Sequence, residues 1–136
     1  MTTELYFLLA TTVLLTLLWI PFVVSIVKSG GELTPTTYRT LELPGEMPHW
    51  ANRANRAHQN LVEQFGAFAA VILIAHVAGV STWITVIASA VYFFARVLHA
   101  VVMLGGYSMF KARTRSFFTA MLSILAMVIE IVRASL

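Results

Sequence analysis

The chain has 136 residues, 59% hydrophobic and 11% charged, with a formal net charge of +3 and a mean hydropathy of +0.82. That composition excludes an ordinary soluble domain and marks an integral membrane protein. Cysteine is absent, which excludes disulfides, thiolate metal sites and cysteine nucleophiles.

A hydrocarbon core of roughly 30 Å takes about 20 helical residues to cross. Four apolar stretches meet that length, at approximately 5–27, 56–79, 82–104 and 116–134. The expected fold is an all-α bundle of four transmembrane helices forming one domain over 1–136. The first stretch lacks a basic leader and a small-residue cleavage site, so it reads as a retained span. Pro21 sits inside it at a point where a kink is expected. Next comes the main polar segment, residues 28–55, punctuated by Gly30, Gly31, Pro35, Pro44, Gly45 and Pro48. Such punctuation argues against a long helix and for a cap over the bundle. The "GVST" join at 79–82 is short enough for a tight helical hairpin, with Ser81 or Thr82 as the N-cap of the third span. Gly105 and Gly106 end that span, and "SMFKARTRS" leads into the fourth. Near its end, Glu130 and Arg133 are three residues apart and predict a local ion pair.

Lys28, Arg39, Arg53, Arg56, Lys111, Arg113 and Arg115 fall in or beside the loops joining spans one to two and three to four, while Arg133 stands alone on the other side. The positive-inside rule therefore puts loops 28–55 and 105–115 in the cytoplasm and both termini opposite. The same distribution fits membrane topology better than a nucleic-acid surface, so no nucleic-acid partner is expected.

Two helices carry polar residues at helical spacing. Arg53, Arg56, Asn60 and Glu63 recur at 3, 4 and 3, with Asn55, His58 and Gln59 around the other side. Ser89, Tyr92, Arg96, His99 and Met103 form a comparable stripe on the third span. Counting from the cytoplasmic ends places Glu63 about 10 Å and Arg96 about 12 Å into the bilayer. Similar depth and opposite charge predict a Glu63–Arg96 ion pair, within a chain or across a subunit boundary. That pair could be structural glue or part of a ligand site. Arg113, Arg115 and Ser116 gather at the start of the fourth span, where cations anchor to headgroups or cradle an anionic ligand. His76 reads as a packing residue, and His49, His58 and His99 are too scattered for a metal site, so none is expected.

The run "RANRAHQNLVE" resembles the helix 2 signature of the MAPEG family, the membrane-associated proteins of eicosanoid and glutathione metabolism. "ARVLHAVVMLGG" and "ARTRSFFT" resemble that family's third and fourth helices. The resemblance implies a homotrimer with a glutathione site at each subunit interface near the cytoplasmic side. It implies that Arg56, Asn60 and Glu63 bind glutathione, with Arg96 supporting Glu63, His99 lining the site and Arg113 beside it. Arg115 and Ser116 would stand next to the sulfur as the catalytic pair. Gln59, Met103 and Thr119 occupy positions where the prostaglandin synthase type carries an arginine and two tyrosines, which argues against prostaglandin isomerisation. Two function classes follow. One is a glutathione-dependent transferase or peroxidase acting on lipophilic electrophiles or lipid hydroperoxides. The other is a non-catalytic protein that binds a lipid or serves as the accessory subunit of a membrane-protein partner. A transporter fits less well, because the polar sets cluster at one end rather than spanning the bilayer.

Overall fold

The computed structural model describes residues 1–28, 48–107 and 111–136. The described elements are α1 (Thr3–Leu18), α2 (Ile20–Lys28), α3 (His49–Val77), α4 (Trp83–Gly105) and α5 (Ala112–Ser135). Helices α1 and α2 together make one span, and with α3, α4 and α5 they give four helices long and apolar enough to cross a membrane. Residues 29–47 of the cap expected over 28–55, and residues 108–110 before the fourth span, lie outside the described residues.

The break between α1 and α2 sits at Trp19, two residues before Pro21. Proline has no N–H to offer the carbonyl four residues back, which is that of Leu17. That carbonyl accepts from the Trp19 N–H instead, and the Trp19 carbonyl takes the N–H groups of Phe22 and Val23. The expected kink is thus a one-residue interruption at which the freed backbone groups are re-satisfied locally.

Two boundaries differ from the sequence expectation. Helix α3 starts at His49, seven residues before the expected position, with Pro48 extended at the N-cap (ψ 146°). The early turns look like loop because Asn52, Arg53, Asn55 and Arg56 dominate the composition, yet Ala51, Ala54 and Ala57 recur every third residue and are fully buried. An alanine stripe lets a neighbouring helix approach closely, and α2 packs against α3. Helix α5 starts at Ala112 rather than 116, after Lys111 in the left-handed region (φ 53°), so Arg113 and Arg115 are helical.

The hairpin between α3 and α4 follows from local chemistry. Gly79 (φ 68°) supplies the left-handed residue of a Schellman ending, with Val80 N–H donating to the Ala75 carbonyl and Gly79 N–H to that of His76. Thr82 then caps α4: its hydroxyl accepts from the Thr85 N–H while the Thr85 hydroxyl accepts from the Thr82 N–H. Ser81, the other N-cap candidate, donates to Glu4 instead at 2.9 Å. Glu4, 3% exposed, also accepts from the Thr85 hydroxyl at 2.6 Å, which ties the start of α1 to the start of α4. The expected Glu130–Arg133 pair is present and bidentate, both contacts being 2.7 Å.

Helices associate in lipid through close packing rather than by escaping water. Helices α4 and α5 form the most extensive pairing, with small residues from both along their seam: Ala88 and Ala95 on α4, Ser116 and Ser123 on α5. The main core joins Phe68, Val71 and Ile72 of α3 to Tyr92 of α4 and Ile124 and Met127 of α5. At its centre the Phe68 and Tyr92 rings stack at 3.8 Å and 11°. A second cluster, Leu18, Ala57, Leu61, Ala100 and Met103, closes the end of the bundle that carries most of the cations, called here the basic end.

Candidate functional site

Helix α3 has 29 residues, about 43 Å at ~1.5 Å per residue and longer than a ~30 Å core. With Val77 at one face, the other falls near Ala57, so Arg53 and Arg56 lie at the boundary and Glu63 about 9 Å inside. The helix buries Ala57, Asn60, Leu61, Gln64, Phe68, Val71, Ile72 and Ala75, a continuous 3–4 repeat. Asn60 belongs to that face. Glu63, the residue before Gln64, is turned about 100° from it and is exposed.

The consequence is a change of partner for Arg96. Helix α4 buries Tyr92, Arg96, His99 and Met103 as the spacing predicts. Arg96 is 2% exposed, and its Nη1 donates to Gln64 Oε1 at 3.2 Å. The Glu63–Arg96 ion pair expected from sequence does not form within the chain: among the described residues the one ion pair is Glu130–Arg133. In the sequence, charge draws attention to Glu63 rather than to its neighbour Gln64. The signal for it was present in the apolar phase of α3, since Leu61, Gln64 and Phe68 are spaced 3 and 4.

The structure distributes the other sequence-predicted residues over three surfaces. Asn60, His99 and Arg113 come together, with Thr114 and Phe117, around a cavity of about 230 Å³. Asn60 Oδ1 and His99 Nδ1 are buried there without a partner in the chain, a costly arrangement unless a ligand or water completes it. The Phe117 ring lies 6.5 Å from that of His99. Arg115 and Ser116 are elsewhere, at one end of an apolar groove between α4 and α5 of about 530 Å³ that also involves Phe94, Leu98 and Thr119. Ser116 is buried and donates to the Arg113 carbonyl at 3.0 Å, which links the two surfaces through one turn of α5. Glu63 lies with His58, Gln59 and Val62 on the outer side of α3. Arg56 is exposed and reaches Gln59 Oε1 at 3.4 Å.

Chemically, the basic end combines cations at the surface, an amide oxygen and an imidazole nitrogen buried without partners beside a small cavity, and an apolar groove with a guanidinium and a hydroxyl at its mouth. That is a set suited to holding a polar anionic molecule beside a lipophilic one.

A search of the curated proteins found no match. A sequence model of the MAPEG family matches residues 5–133, nearly the whole chain. That family includes glutathione transferases and peroxidases as well as non-catalytic members. The four membrane-spanning helices and the length of the match agree: this integral multi-pass membrane protein belongs to the MAPEG family.

Proposed function

We propose that the protein is a glutathione-dependent transferase or peroxidase that acts on lipophilic electrophiles or lipid hydroperoxides dissolved in the bilayer. The observation that carries this reading is the cavity of Asn60, His99 and Arg113, with two buried polar atoms lacking partners. Glutathione has amides that would satisfy Asn60 and His99, carboxylates for Arg113 and Arg56, and an ammonium for Glu63. Arg115 and Ser116 stand at the groove mouth, where the cation favours the thiolate over the thiol and the Ser116 hydroxyl would donate to the sulfur on turning from the Arg113 carbonyl. An electrophile held in the groove between α4 and α5 would meet that sulfur, and conjugation would form a carbon–sulfur bond as the leaving group departs.

A single chain does not assemble all of these groups, which supports a homotrimer with the site between copies. Glu63 and Gln59 are exposed on α3, and an acidic side chain facing lipid at depth costs about 2.5–3.5 kcal/mol. A neighbouring copy covering that face would remove the penalty and bring Arg56 and Glu63 toward its own Arg115 and Ser116. The cations at the loop ends favour placing those ends, and the site, on the cytoplasmic side.

The second reading is a non-catalytic member that binds a lipid in the same groove or supports a partner membrane protein. Its support is the apolar character of the groove walls, Ile87, Val91, Phe94 and Leu98, together with Met103 and Thr119 in place of tyrosines. Equilibrium dialysis of glutathione against the detergent-solubilised protein separates the two. Asn60→Ala and Glu63→Ala should each weaken binding tenfold or more, with the oligomer unchanged by light scattering. Unaltered affinity in both would remove these residues from the site.

A further inference from the structure

Beside the proposed glutathione cavity lies a second pocket of about 230 Å³, in which Arg53 of α3, Lys111 before α5 and Arg113 of α5 converge from three points of the chain. Its remaining walls include Val102, Met103 and Tyr107. None of the three cations pairs with a carboxylate among the described residues. Arg53 Nε is buried without a hydrogen-bond partner. The guanidinium is set close against the end of α4: a Cβ on Gly106 would lie 3.0 Å from Arg53 Cζ. Gly106 (φ 69°) is also the left-handed residue that ends α4, so one glycine both turns the chain and makes room for the arginine.

Cations that merely anchor helices to the membrane surface snorkel separately toward headgroups. Three that face one pocket with no carboxylate paired to them among the described residues repel one another, and their arrangement calls for an anion. Helix α5 begins beside the pocket, so its N-terminal dipole adds to the same field. By the depth count along α3, Arg53 lies at the membrane boundary. The mixed lining, three cations with Val102, Met103 and Tyr107, suits a charged group attached to something greasy.

We propose that this pocket binds a phosphate group, held by Arg53, Lys111 and Arg113, with the headgroup of an anionic phospholipid as its source in the membrane. Arg113 also lines the Asn60–His99 cavity, so phosphate in one pocket draws on a side chain of the other. The site does not depend on glutathione being the ligand next door, and the two readings fail separately.

The test is native mass spectrometry of the full chain released from neutral detergent, with phosphatidic acid, phosphatidylcholine or inorganic phosphate added as probes. Phosphatidic acid should give a saturable adduct, at least tenfold tighter than phosphatidylcholine. Arg53→Gln and Lys111→Asn should each weaken that adduct about tenfold. Lys111 is exposed and left-handed, and asparagine tolerates that backbone well, so the second variant keeps the fold. An adduct that resists millimolar inorganic phosphate identifies the lipid headgroup as the source. One displaced by it identifies soluble phosphate in the same site. Equal adducts in wild type and both variants, or no preference for phosphatidic acid over phosphatidylcholine together with no phosphate adduct, would overturn the proposal. Glutathione dialysis on Lys111→Asn reports the neighbouring cavity independently.

Discussion

Replacing Gln64 with leucine asks what holds a buried guanidinium inside this bundle. Arg96 is 2% exposed and Gln64 8%, and their 3.2 Å contact is the one hydrogen bond of Arg96 among the described residues. A hydrogen bond to a charged group contributes about 1.5–3 kcal/mol, and stranding its buried partner sits at the upper end of that range. Gln64→Leu should therefore destabilise the bundle by about 2–3 kcal/mol, roughly 30- to 150-fold in the unfolding equilibrium. Converting both residues to apolar ones, Gln64→Leu with Arg96→Met, removes the charge along with its partner. Replacement of both partners by well-packed apolar groups is often near neutral, so the double variant should lose less than about 1 kcal/mol. The assay is reversible unfolding in mixed micelles, followed by circular dichroism across all four members of the cycle. Additive losses, or a single-variant loss below about 0.5 kcal/mol against the range above, would refute the reasoning. Either would mean that another group, such as Glu63 from a neighbouring copy, neutralises Arg96.

Two other substitutions test the local devices that shape the fold. Thr82→Ala removes the reciprocal cap of α4 and should cost about 1 kcal/mol in the same unfolding assay. Gly106→Ala places a side chain at φ 69° and 3.0 Å from Arg53, so it should lose about 1–2 kcal/mol, while alanine at Gly66, where nothing lies within 4 Å, should not destabilise.

Interactions that close within a few residues were legible in the sequence. Glu130 with Arg133 is three apart, and helical geometry alone brings such a pair together; of the two N-cap candidates, Ser81 and Thr82, the structure uses Thr82, with Thr85 three residues on as its partner. The four spans were legible from length and hydropathy, although their ends were not. Polar residues concealed the alanine stripe that begins α3 at His49. The partner of Arg96 was missed by one position, because charge complementarity pointed to Glu63 while the buried phase of α3 pointed to Gln64. Glu4 left no local trace at all. Its hydroxyl partners, Ser81 and Thr85, are 77 and 81 residues away, and only the packing of α1 against α4 brings them together. At the candidate site, spacing along helices identified Asn60, His99 and Arg113 as polar. It could not separate their cavity from the surfaces holding Glu63 and Arg115, because that division depends on which faces α3 and α5 turn toward α4.

The central claim is that the basic end binds glutathione and favours its thiolate. Ultraviolet titration of the purified, detergent-solubilised protein with glutathione measures that directly, since thiolate absorbs where thiol does not. The predicted result is a saturable thiolate signal that disappears in Arg115→Ala while glutathione still binds by dialysis. No thiolate signal and no binding at millimolar glutathione would contradict the claim and leave the lipid-binding or accessory role.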